Sequence, residues 1–174
     1  MEIARELEHW REFYLLVGTG GGTLVALLFV AVSLGTGYLT NAQAVATRSF
    51  ISPVVVHFAV VFFLSCIALI PSHTSAFFAV VIGGTALVGF VVSTYSTIQI
   101  LRHQDWSQYW LDRICYGGLP AATYCALGAA AWMTYREQHM ALDVLAGTLL
   151  LLLLVNLRNA WDLMLDMVRR HAAD

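Results

Sequence analysis

Between Phe13 and Leu34 the chain runs for 22 residues without one charged side chain. At 1.5 Å per residue a helix of that length spans about 33 Å, enough to cross a hydrocarbon core of roughly 30 Å. Four further apolar stretches follow, at about 53–71, 76–101, 119–135 and 141–161. A single domain of 174 residues has no soluble core large enough to bury them all. Only 11% of the residues are charged and 59% are hydrophobic, against a usual charged share near 25%. The expected fold is therefore all-α: an integral membrane bundle of five transmembrane helices.

Shorter elements flank these spans. Ile3, Leu7, Trp10 and Tyr14 recur at helical spacing, which predicts a short amphipathic N-terminal helix running into span one. Residues 35–49 read as a connecting loop. Pro53 suits the first turn of span two, with Ser52 as its cap. After span three, Asp105 is a helix cap, and Trp106, Tyr109, Trp110 and Ile114 share one face. That pattern predicts a helix lying in the membrane interface between spans three and four. Span five continues as a polar helix to about residue 170.

Arginine placement orients the bundle. With five spans, Arg5, Arg11 and Arg136 fall on one side. Arg48, Arg102, Arg113, Arg169 and Arg170 fall on the other. The richer side is cytoplasmic by the positive-inside rule, so the N-terminus is expected outside and the C-terminus inside. The compact chain, with no cleavable signal peptide evident, points to a bacterial-type inner membrane.

Several functions are excluded. The GTGGGT stretch at Gly18–Thr23 resembles a phosphate loop only in its glycines. The chain contains no lysine, which a P-loop requires, and the stretch lies inside span one. A net charge of −2 offers no basic footprint for nucleic acid. Cys66, Cys115 and Cys125 make no CxxC pattern for a disulfide framework or thiolate metal site. HExxH, G-x-S-x-G and paired intramembrane carboxylates are absent, so no enzyme is expected. His57, one turn inside span two above Ser65, reads as a packed histidine. It has no second histidine at matching depth to hold haem, and no cofactor is expected.

Gly18, Gly22 and Ala26 recur every four residues and form a small-xxx-small face for close helix packing. Span four repeats the pattern with Ala122, Ala126 and Ala130. In span three, Thr85, Gly89, Ser93, Ser96, Gln99 and His103 make one polar, small-residue stripe that must face protein or water. In span five, Arg158 and Asp162 lie four apart near the cytoplasmic mouth. His139 and Asp143 also lie four apart, and with His73 they are a candidate proton or metal site.

Two functions compete on these residues. One is an oligomeric pore or transport protein for ions or a small solute, with its path along the span-three stripe. The other is a non-transporting scaffold or regulatory subunit that binds another membrane protein. A pore requires the stripe to face a symmetry axis or an internal cavity. A scaffold requires it to be closed by side chains. In either case the chain is expected to sit in the lipid bilayer as a homo-oligomer.

Overall fold

The computed structural model describes residues 2–35, 41–71, 74–102 and 114–171. All the regular structure among them is helical. A short helix, α1 (Glu2–His9), leads through Trp10 into α2 (Arg11–Gly35). Then come α3 (Asn41–Ala68), α4 (Ser75–Arg102), a π-helical turn (Ile114–Gly118), α5 (Leu119–Tyr135) and α6 (Ala141–His171). Four of these stretches are long and apolar enough to cross a membrane: Arg11–Ser33, Ser75–Ile98, Ile114–Tyr135 and Ala141–Leu165. The helix α3 carries a shorter apolar stretch over Pro53–Ala68.

The expected loop at 35–49 is partly helix. The helix α3 starts at Asn41 and passes through Pro53, which lies inside it rather than at its start. Proline lacks the N–H that would bond the carbonyl four residues back, but its fixed φ is compatible with a helix. Apolar spanning helices tolerate this where neighbouring groups satisfy the freed carbonyl. The expected interfacial helix at 105–114 lies outside the described residues except for Ile114, which opens the π turn.

Two contacts place three chain segments at one end of the bundle. Glu6 of α1 meets His139 of the α5–α6 turn at 3.5 Å. Ser75 at the start of α4 donates to Glu137 at 2.5 Å. Trp10, Phe13 and Tyr14 cluster at this end, with ring centroids 5.3–6.4 Å apart. Here too Arg136 lies 5.8 Å over the Trp132 ring. Aromatic and arginine side chains together are typical of a membrane–water boundary. Tyr14 itself is fully buried.

The helices pack α2 along α3 and α4 along α5, while α6 touches both α5 and α3. One apolar core runs through all of them, from Leu7 and Tyr14 through Leu64, Phe78 and Ile82 to Leu127, Leu145 and Leu152. Outside it, large apolar side chains face outward on every long helix, among them Leu16, Phe29, Phe62, Val80, Trp132 and Leu154. An apolar core inside an apolar exterior is the arrangement that lipid solvates and water does not.

Candidate functional site

Polar groups on an apolar helix such as α4 need partners inside the bundle. The described members of the α4 stripe face inward: Gly89 and Ser93 are buried, Ser96 is 8% exposed and Thr85 is half-buried. The backbone of Gln99 is helical, and its side chain and His103 lie outside the described residues. What the stripe faces is α5. The Tyr124 ring sits directly against Gly89, so close that even a methyl group on Gly89 would overlap it. One end of the seam repeats the arrangement with roles reversed, Thr97 of α4 lying over Gly117 of the π turn. Glycine on either side lets the helices approach closely. The hydroxyls of Thr85 and Thr97 turn back onto their own helix, donating to Val81 and Ser93 carbonyls at 2.7 and 2.8 Å. The seam is thus filled by side chains at Gly89 and at Gly117.

Tyr124 reaches beyond the seam. Its hydroxyl lies 2.6 Å from Nδ1 of His57, and both residues are 1% exposed. One hydrogen bond therefore ties α3 to α5, at the level where α4 presents Gly89. Sequence reading singled out His57 but not Tyr124. The two are 67 residues apart, and Tyr124 sits among alanines with no periodic signal.

A second polar set lies on α6. Asn156 and Asn159 are 0% and 1% exposed. Asn159 donates to the Cys115 carbonyl at 2.9 Å, and the Tyr116 hydroxyl donates to the Asn159 carbonyl at 2.7 Å. These bonds anchor the π turn, whose wider winding leaves backbone groups in need of partners. Asn156 donates from Nδ2 to the Leu152 carbonyl at 2.7 Å, one turn back. Three buried polar atoms of this region have no protein partner: His57 Nε2, Ser93 Oγ and Asn156 Oδ1.

Arg158 and Asp162 pair with each other at 3.0 Å, and both side chains are more than a third exposed. The contact at Asp162 Oδ2 is ionic rather than an aligned hydrogen bond. Arg158 also approaches Asn159 Oδ1 at 3.4 Å. Both residues are intermediate in exposure, and Asp162 Oδ2 itself is buried.

His139 is 82% exposed and meets Glu6, while Asp143 is exposed on the first turn of α6. His73 lies outside the described residues. Among the described residues no three His, Cys, Asp or Glu side chains converge as a metal site would require.

Gly18 is buried against Ser65 of α3, and Gly22 lies against the Phe62 ring. Gly21, not singled out in the sequence, is buried against the α3 backbone at Phe58 and Phe62. Ala26 is exposed. The cause is helical geometry: each step of four residues turns about 40° past a full turn, so a strict every-fourth line drifts off the contact face. Ala122 and Ala126 of α5 are likewise exposed, and Ala130 is buried. Cys66, Cys115 and Cys125 are free thiols.

A comparison with protein-family models finds no match. Neither the curated proteins nor the solved structures give a significant match.

Proposed function

We propose that this chain is a non-transporting membrane subunit, a helical scaffold that binds or regulates another membrane protein. The observation that supports this reading is the closed α4–α5 seam. The polar stripe that could have lined a path is occupied by the Tyr124 ring and by Thr97 against Gly117. No catalytic role enters the proposal.

The competing reading is a pore or transport protein for ions or a small solute. The unpartnered buried atoms of His57, Ser93 and Asn156 favour it, because polar groups in a membrane interior often mark a path. Conductance separates the two. Purified protein in planar bilayers, under salt gradients of several ions and at several pH values, is expected to give no current above the empty bilayer. Discrete ion-selective currents would overturn the scaffold reading.

The proposal includes five crossings of a bacterial-type inner membrane, with the N-terminus outside and the C-terminus cytoplasmic. The shared end of α1, the α3–α4 turn and the α5–α6 turn supports an odd number of crossings. A reporter fused after Asp174 is expected to be active only in the cytoplasm, and periplasmic activity would reverse the orientation. The chain is also proposed to self-associate. Native mass measurement in lipid nanodiscs is expected to give a multiple of 19.2 kDa, and a lone chain at all concentrations would refute it.

A further inference from the structure

We infer that His57, Ser93 and Asn156 form an internal water-binding site between α3, α4 and α6, beside the Tyr124 ring of α5. The inference holds whether or not the chain transports anything.

Two links connect the three residues, one through Tyr124 and one through a shared apolar cluster. His57 of α3 is bonded to Tyr124. The Tyr124 ring lies on Gly89, and Ser93 is the next residue one turn along the same face of α4. Val54 and Phe58, on either side of His57, pack in one cluster with Leu153 and Ala160, on either side of Asn156.

Each presents an unused hydrogen-bonding atom while buried: His57 is 1% exposed, Ser93 and Asn156 are 0% exposed. The orientation of Asn156 is fixed, because its Nδ2 donates to the Leu152 carbonyl; a flipped amide would set oxygen against oxygen. Its Oδ1 is therefore a free acceptor. The Nδ1 of His57 is engaged by Tyr124, so only Nε2 remains to bond. The serine hydroxyl both donates and accepts.

A buried polar atom far from bulk solvent is costly unless it is bonded, and lipid outside the bundle cannot serve. An imidazole nitrogen, a hydroxyl and an amide oxygen together carry no formal charge. They suit a small neutral molecule that both donates and accepts, and buried waters typically make about three such bonds. Water donates to Asn156 Oδ1, bonds His57 Nε2 in whichever tautomer Tyr124 sets, and takes its third bond from Ser93. Phe58 and Leu153, of the neighbouring cluster, supply apolar surface beside His57 and Asn156.

Solid-state NMR of histidine-15N-labelled protein in lipid bilayers tests this, using magnetisation transferred from water protons. The His57 resonance is identified by its loss in His57→Gln. Transfer to His57 Nε2 is expected in the native protein, with most of it lost in Asn156→Leu. Ser93→Ala, a smaller change, is expected to reduce it as well and serves if Asn156→Leu does not fold. An Nε2 that receives no magnetisation while the exposed His139 ring does would overturn the inference. Transfer left undiminished by these substitutions in folded protein would also overturn it.

Discussion

Replacing Gly89 with valine is expected to destabilise the protein by forcing α4 and α5 apart. The added carbons have nowhere to go except into the Tyr124 ring. That residue is 1% exposed and held by His57, so its ring cannot shift without losing that hydrogen bond. Overpacking of this kind costs about 1–3 kcal/mol. Breaking the His57–Tyr124 hydrogen bond adds roughly 1 kcal/mol more. The unfolding midpoint of purified protein should fall accordingly. Shrinking the opposing side chain should recover part of the loss, so Gly89→Val with Tyr124→Ala is expected to be less unstable than the sum of the two. Gly84 is the control on the same helix: nothing lies within 4 Å of an added Cβ, and Gly84→Ala should leave the midpoint unchanged or higher. Equal effects at Gly84 and Gly89 would mean that the seam is not tightly packed.

The second large effect is expected in the glycine run of α2. A Cβ on Gly18 would stand 2.8 Å from the Cβ of Ser65. That atom is fixed to the α3 backbone and cannot rotate away, so the two helices must part. Gly18→Val is expected to cost about 3 kcal/mol, the upper part of the overpacking range. Two residues on, Gly20 meets nothing within 4 Å. Gly20→Ala should be neutral or stabilising by up to about 1 kcal/mol, because alanine favours a helix over glycine. One run of glycines thus divides into a packing residue and a spare one, and the midpoints of the two variants should move in opposite directions or differ by several degrees. If Gly18→Val is as stable as Gly20→Ala, α2 does not rest on α3 as described.

The apolar runs made the membrane-type helices legible in the sequence. A run without charges has few alternatives, and α4, α5 and α6 begin within a few residues of the expected positions. Helix α3 was less legible. Proline at position 53 is a strong local signal for a helix start, yet the helix continues through it from Asn41. Periodicity identified the inward side of α4 but not its partner. Whether Ser93 and Ser96 face water or a neighbouring helix depends on Tyr124, a residue with no pattern of its own. The small-residue line Gly18, Gly22, Ala26 meets α3 at its first two members, while Ala26 is exposed and Gly21, off the line, also packs on α3, because helix faces alternate steps of three and four. Asn159 was visible as a polar residue. Its task of holding the Cys115 carbonyl depends on a π turn that no spacing rule announces.

The central claim is that the polar stripe of α4 is a closed packing seam, and thiol accessibility tests it most directly. Cysteine is placed at Ser96 in a chain whose Cys66, Cys115 and Cys125 are replaced by serine or alanine. Membranes are then treated with a charged, membrane-impermeant thiol reagent from each side. Thr74→Cys, on an exposed turn, is the positive control. The account predicts that Thr74→Cys is labelled from one side and that Ser96→Cys is labelled from neither until the protein is denatured. Labelling of Ser96→Cys in folded membranes at a rate near that of Thr74→Cys would contradict it, and would return the stripe to the role of a water-filled path.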